Sequence, residues 1–464
     1  MELNLLLETT DLDNNTFITI EGKNWTLSKR HDLGKPNTVP NFACVSYSWG
    51  KEEQVANPFH PTHRISPNTI PALTAAIRTD KSNAFWIDAL CIPFDQPERR
   101  LTLESMGYIY HSAVAVISVL SDTSFAAIER ASNAEYLTYE MMLELEQDKW
   151  VSSVWTYQEV INNSNVCLTT VKEATNKFVN AEDFLNFVGQ SLDKWKRQNG
   201  ISTLQLRNMF PRLDALEDLI ADWLSKATGY GLMNSFMLQS NMDRRTTDSE
   251  ENRWYSMMGV LTQEPSRWLA DVKSENLPVT YMALCESLND FSYIYSSADR
   301  DTNPKRRWSP RSGPLPSIFA FHSFGEPQSG QIVPEGLLLD RMLSFEPSHL
   351  LNDAARNLIV RWLDKPEFVK DPEIVLGIKL LAAFKDVGFR GVGGPIITGN
   401  GIFLPQQSLV RAGEEIRILV SGTIRWVFGA PALAMLAKEG ETSYVPGIFA
   451  GVIDVAGATP VLLK

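Results

Sequence analysis

The chain has 464 residues, too many for one ordinary hydrophobic core, so two or three domains are expected. An apolar fraction of 44% and a charged fraction of 21% are those of a soluble globular protein. A net charge of −12 gives no support to nucleic-acid binding, which uses basic stripes to neutralise phosphate. The four cysteines (Cys44, Cys91, Cys167, Cys285) stand far apart with no Cys-x-x-Cys pair, against a zinc ribbon or disulfide framework and for a reducing, cytoplasmic setting. The first eleven residues are acidic where a secretory leader would be basic. The apolar run Trp426 to Ala437 is too short for a membrane span and contains Pro431.

Residues Thr16 to Ser28 partly alternate around Gly22 and read as a leading hairpin. Asn41 to Gly50 reads as a buried strand ending in a glycine turn. Ser66-Pro67 then has helix-start chemistry, with Ile70, Leu73 and Ile77 on one face of the helix that follows. A second buried strand is expected over Ala84–Ile92. A helix begins after it, with Asp95 and Glu98 at capping spacing and Leu103, Met106 and Tyr110 on one face. Ala113–Leu120 is β-branched and unalternating, a third buried strand.

Strands of this kind separated by helices predict a parallel sheet covered on both faces. Ligands in such sheets collect at the carboxyl ends of the strands. The junctions Ser46–Gly50 and Asp88–Arg100 should therefore be neighbours in space. Beyond Leu168, helices are expected over Asn180–Arg197, Leu213–Lys226, Glu251–Leu261 and Leu277–Tyr293. The Pro/Arg/Ser-rich stretch from Asn303 to Pro316 reads as a boundary. Short β-type runs follow at Ile402–Leu404, Ile416–Val420 and Val452–Val455. The expected divisions are a hairpin leader (1–38), an α/β domain (39–180), a helical region (181–300) and a β-rich region (301–464).

The feature that carries chemistry is Asp88, a carboxylate inside an apolar run. Burying it without partners costs several kcal/mol, so it should end a strand or bind something. Each candidate also has a plain structural reading. Asp88 can accept hydrogen bonds at a strand end, and Asp95 and Glu98 can cap a helix. Arg99 and Arg100 can be a solvated face, and Trp49 and Trp155 can be core anchors. His60 and His63, with Pro61 between them, read as loop rather than ligands.

Three motifs together resemble the HET (heterokaryon incompatibility) domain of fungal allorecognition proteins. They are Val45-Ser46-Tyr47-Ser48-Trp49-Gly50; Phe85 to Ile92 with Asp95, Glu98, Arg99 and the stretch Met106 to Ala113; and Trp155-Thr156-Tyr157-Gln158-Glu159-Val160. Weaker similarity extends to Thr247 through Val260 and to Gly413-Glu414-Glu415-Ile416 onward with Val445 to Ile448. HET domains are in turn similar to TIR domains, which implies a TIR/flavodoxin-like parallel sheet with flanking helices, followed here by the helical segment and the β-rich region.

The resemblance implies NAD+ as substrate rather than a prosthetic group, cleaved at the nicotinamide–ribose bond. That transition state is oxocarbenium-like, so a carboxylate beside the ribose stabilises developing charge. By the Trp-x-x-x-Glu spacing Glu159 would be that catalytic carboxylate, although a glutamate near a helix start has the same appearance. Ser46, Tyr47, Ser48, Trp49, Asp88, Cys91 and Trp155 would line the substrate site, with Arg99 or Arg100 on the pyrophosphate. The resemblance equally allows a non-enzymatic module that self-associates, or recruits a second incompatibility or immune protein, to trigger cell death. Fold alone does not choose between them.

Overall fold

The computed structural model describes residues 2–11, 16–35, 39–50, 52–133, 135–172, 178–228, 233–261, 276–409, 415–438 and 440–464. The chain divides into two compact units, Met1–Thr228 with Arg245–Lys273 and Gly229–Arg244 with Ser274–Lys464. It is mixed α/β, with a parallel-containing sheet towards the N-terminus, helices in the middle and a β-rich C-terminal region. The helices expected over 181–300 are shared between the two units.

The first unit opens with β1 (Glu2–Thr9), β2 (Phe17–Ile20) and β3 (Lys23–Asp32), an antiparallel trio. It joins the main sheet through β1, whose Leu3, Leu5 and Leu6 are buried. Next come β4 (Ala43–Tyr47), the short pair β5 (Val55–Ala56) and β6 (Arg64–Ile65), and α1 (Thr69–Thr79). The buried face of α1 is built from Thr69, Ala72, Leu73, Ala75 and Ala76, while Ile70 and Ile77 are half-buried. Small residues let this helix lie close to the sheet.

Strand β7 (Ala84–Ile87) is shorter than the expected Ala84–Ile92, because the chain turns into α2 (Asp88–Cys91). Asp88 thus starts a helical turn directly beyond the strand. The next helix is also divided, into α3 (Glu98–Glu104) and α4 (Met106–Ser112). Asp95 does not cap α3 with its side chain; its backbone carbonyl accepts from Arg99 N–H at 3.0 Å.

Strand β8 (Ala115–Leu120) is wholly buried. Helices α5 (Phe125–Ser132), α6 (Tyr139–Gln147), α7 (Lys149–Ser152) and α8 (Val154–Ile161) lead to β9 (Val166–Thr170) and β10 (Val179–Asn180). Helices α9 (Ala181–Asn199), α10 (Thr203–Met209) and α11 (Pro211–Thr228) follow. The sheet order is β10-β9-β8-β4-β7-β1-β3-β2, in which β9, β8, β4 and β7 run parallel and the outer strands antiparallel. From β4 the chain moves to β7 on one side, then crosses to β8 and β9 on the other. The β4/β8 boundary is therefore a topological switch point, where open parallel sheets form a crevice.

After α12 (Ser235–Asp243), which belongs to the second unit, α13 (Glu250–Leu261) returns to the first. Gly107 of α4 meets Gly259 of α13 so closely that a Cβ on Gly107 would fall on the Gly259 carbonyl. Two glycines permit that crossing where any side chain would hold the helices apart.

The second unit continues with α14 (Leu277–Ser287), shorter than the expected Leu277–Tyr293. Residues Asn303 to Pro316 lie inside this unit with Trp308 buried. Strands β11 (Phe324–Gly325), β12 (Gly330–Val333) and β13 (Gly336–Phe345) precede α15 (Asp353–Leu363) and α16 (Glu373–Asp386). Strands β14 (Ile396–Thr398), β15 (Gly401–Pro405), β16 (Glu415–Ser421), β17 (Ile424–Arg425), β18 (Gly429–Lys438), β19 (Glu441–Gly451) and β20 (Thr459–Leu463) complete it.

The main antiparallel sheet runs β12-β13-β16-β18-β19-β15-β14, with β20 also paired to β13. Phe403, Ile418, Val420 and Phe449 pack over the alanines of β18 to form its core. The strand expected at Val452–Val455 does not form; Val455 instead starts a short 3-10 turn capped by Asp454. Gly413 and Glu414 lie outside the described residues.

Candidate functional site

Ser46, the fourth residue of β4, is buried at 1% exposure and sits at the centre of a polar cluster. Helix α8 begins at the Ser153 cap, whose hydroxyl accepts from Trp155 N–H at 3.2 Å, and carries Glu159 into the interior. Ser46 Oγ donates to Glu159 Oε2 in a short hydrogen bond, and Tyr110 Oη of α4 donates to Oε1 at 3.1 Å. Trp150 Nε1 of α7 donates to Ser46 Oγ at 2.7 Å. Among the described residues no lysine or arginine forms an ion pair with Glu159. Burial raises its carboxyl to about 7, and the nearby Asp88 charge pushes the same way against the two hydroxyl hydrogen bonds.

Asp88 stands on the neighbouring strand's exit. Its Oδ2 accepts from Trp49 Nε1 at 2.7 Å, and its Oδ1 from Ala89 N–H at 2.6 Å. Burial raises this carboxyl to about 6, while Trp49, Ala89, Tyr47 and the charge of Arg99 favour its ionised form. The junctions after β4 and β7 are thus joined by the Trp49–Asp88 bond. Two carboxylates with raised proton affinity face one region at adjacent strand ends, an arrangement able to hold and release protons near neutral pH.

The other sequence candidates are less centrally placed. Tyr47 Oη shares a hydrogen bond with Thr69 Oγ1 at 2.8 Å, and burial holds its phenol well above the usual range. Cys91 is buried in the core, with its thiol pushed up to about 12 by desolvation. Arg100 is engaged with Glu104 at 2.7 Å, and Arg99, its neighbour on α3, is half-buried. Trp155 is half-buried, and the tryptophan that reaches the Ser46–Glu159 pair is Trp150, which sequence reasoning passed over.

A cleft of about 660 Å³ opens at the β4/β8 switch point. Tyr47, Ser48 and Gly50 line one side, Ser121, Asp148 and Lys149 the other. Glu159, Asp88 and Trp49 are not in its lining. Asp148 connects this cleft to the buried cluster. Its carboxylate accepts from Ser121 N–H at 3.2 Å, Ser121 Oγ at 2.6 Å, Ser124 Oγ at 2.5 Å and Trp150 N–H at 2.8 Å. That bond set fixes Trp150, and through it Ser46. The sequence signal for Asp148 was the capping position of a short helix.

Residues 42–140 match the family model described as Heterokaryon incompatibility protein (HET). The matched stretch supports a HET domain there and a role in heterokaryon incompatibility. It contains β4, β7 and β8 with Ser46, Asp88 and Tyr110, and ends before α8 and Glu159. No curated protein and no solved structure matches the chain. Among the described residues no helix is long and apolar enough to cross a membrane.

Proposed function

We propose that this HET-domain chain acts in non-self recognition leading to cell death, and that its parallel sheet is a TIR-like NAD+ hydrolase. The observation that carries the reading is the meeting of Glu159 and Ser46, with Asp88 close enough for its charge to raise the Glu159 proton affinity. The strand order β7-β4-β8-β9 supports it, since that is the 2-1-3-4 order of flavodoxin-like sheets.

In this reading the C1′–N bond breaks with its electron pair leaving on nicotinamide, which loses its positive charge. Glu159 stabilises the oxocarbenium ion, and water attacks C1′ and gives up its proton to that carboxylate. Trp49 and Trp155 offer ring surfaces, Arg99 and Arg100 offer charge to the pyrophosphate, and Ser46, Tyr47, Ser48, Asp88 and Cys91 shape the site. A Glu159 carboxyl at about 7 makes turnover rise as pH passes through that value, because the ionised form acts.

One observation favours a second reading. Glu159 is only 7% exposed and both oxygens are already engaged. A signalling module that self-associates or recruits an immune partner needs no accessible carboxylate. The purified full chain is incubated with NAD+, dilute and under crowding, and nicotinamide is measured for wild type and Glu159→Gln. Release abolished by the substitution supports the hydrolase. Release that survives it removes Glu159 as catalyst, and no release under any condition selects the signalling module.

A further inference from the structure

Arg300, in the second unit, is a half-buried cation with an enclosed guanidinium whose hydrogen-bonding capacity is largely unspent. Its Nη2 donates to the Ser296 carbonyl at 3.3 Å, while Nε and Nη1 are enclosed without a hydrogen-bond partner among the described residues. No carboxylate forms an ion pair with it among those residues. A guanidinium carries five N–H donors and keeps its charge in proteins, so leaving two nitrogens unserved in a dry setting is costly. Desolvation alone lowers it to about 9, which still leaves it protonated at neutral pH.

Its backbone is fixed on both sides. Arg300 bridges to Pro310, Asp301 N–H bonds the Ser309 carbonyl at 2.9 Å, and Arg311 N–H bonds the Asp299 carbonyl at 2.6 Å.

Arg300 lines a cavity of about 260 Å³. Arg307 lines it too, held only loosely by the exposed Glu441 at 3.5 Å. Tyr444 adds a hydroxyl that accepts from Lys464 N–H at 2.7 Å and whose own proton has no acceptor among the described residues. Leu436 and Val445 give the cavity an apolar wall.

We propose that this cavity is a binding site for a small organic carboxylate, its anionic end on Arg300 and its apolar body against Leu436 and Val445. The volume suits a ligand of a few heavy atoms rather than a nucleotide. Two arginines and two aspartates leave the lining formally neutral, which disfavours a dianion more than a monoanion. Asp299 and Asp301 line the same cavity as the two arginines and oppose the second charge of a phosphate dianion. The site is independent of the NAD+ reading and assigns the β-rich unit a small-molecule input.

The test is calorimetric titration of the full chain with sodium benzoate, with benzamide as a neutral probe of the same shape and inorganic phosphate at matched ionic strength. Benzoate should bind saturably in the millimolar range or tighter. Arg300→Met and Arg300→Lys should each weaken it by roughly tenfold or more. Arg300→Lys keeps the charge but loses the planar donor set, and decides the matter if Arg300→Met does not fold. Benzoate binding undiminished in Arg300→Lys, benzamide binding as well as benzoate, phosphate binding more tightly than benzoate, or no saturable benzoate binding would each overturn the proposal.

Discussion

Replacing Glu159 by Gln should change how stability depends on pH, in a direction set by burial. In the unfolded chain this carboxyl titrates near its ordinary 4.5, and in the folded chain at about 7. Below the lower value both states hold the proton and it contributes no pH dependence. Between the two the unfolded chain has released a proton that the folded chain keeps, so stability falls as pH rises. At about 1.4 kcal/mol for each pH unit, the loss accumulated by pH 8 is about 3 kcal/mol. Glutamine has nearly the same shape and cannot ionise.

The Gln variant should therefore gain on wild type by about 3 kcal/mol between about pH 4 and about pH 8. Its amide oxygen can accept from Ser46 while its NH2 donates to the Tyr110 hydroxyl oxygen once that O–H turns away, as in the protonated acid, so the offset common to all pH values should be small. The assay is urea denaturation of both chains across that range, following the transition that the substitution moves. Two compact units license separate transitions. A stability difference that stays constant from about pH 4 to about pH 8 would refute the reasoning.

Three further outcomes follow from the geometry. Gly107→Ala drives a methyl onto the Gly259 carbonyl and should cost about 3 kcal/mol, read as a lower urea midpoint; an unchanged midpoint would mean α4 and α13 can separate. Asp148→Ala strips an acceptor from Ser121, Ser124 and Trp150 N–H and should cost about 3 kcal/mol, with the near-ultraviolet tryptophan signal altered as Trp150 loosens. Trp49→Phe removes the indole donor that favours ionised Asp88, so that carboxyl should titrate above about 6 in carbon-detected NMR, and an unmoved titration would show that the bond contributes nothing.

The parts of the fold legible in the sequence are those where one physical signal dominates. β8 and the core of β7 are unalternating apolar runs, the pattern of a strand buried on both faces. The helices α9, α11 and α13 carry enough turns for their periodicity to show. The exit of β7 was not legible, because Asp88 to Cys91 continues the apolar run while the backbone has already turned helical. Strand β1 was not legible because its leucines lack the β-branched signature of a strand. At the site, Ser46 and Glu159 were legible as motif members, but they lie 113 residues apart, and Tyr110 is 49 residues from Glu159. Their hydrogen bonds are tertiary facts with no local spacing. Arg300 is a more extreme case, since what distinguishes it is that Nε and Nη1 have no hydrogen-bond partner among the described residues.

The polarity of the buried cluster links it to the cleft. An indole nitrogen only donates, so Trp150 obliges Ser46 Oγ to accept and directs the serine proton to Glu159. Ionised Glu159 is then served by two donors, Ser46 and Tyr110. A protonated Glu159 has its own hydrogen to place, and the hydroxyl oxygen of Tyr110 takes it once that tyrosine turns its O–H away. Gain of a proton thus reverses one hydrogen bond. Ser46 is followed along β4 by Tyr47 and Ser48 in the cleft wall, and Trp150 is held by Asp148 in the opposite wall. A ligand that displaces Asp148 or Tyr47 is expected to disturb the hydrogen bonds that Trp150 and Ser46 make around Glu159. Occupancy of the 660 Å³ cleft should therefore shift the Glu159 titration in carbon-detected NMR although the glutamate does not line the cleft, and a titration unmoved by a bound ligand would refute the link.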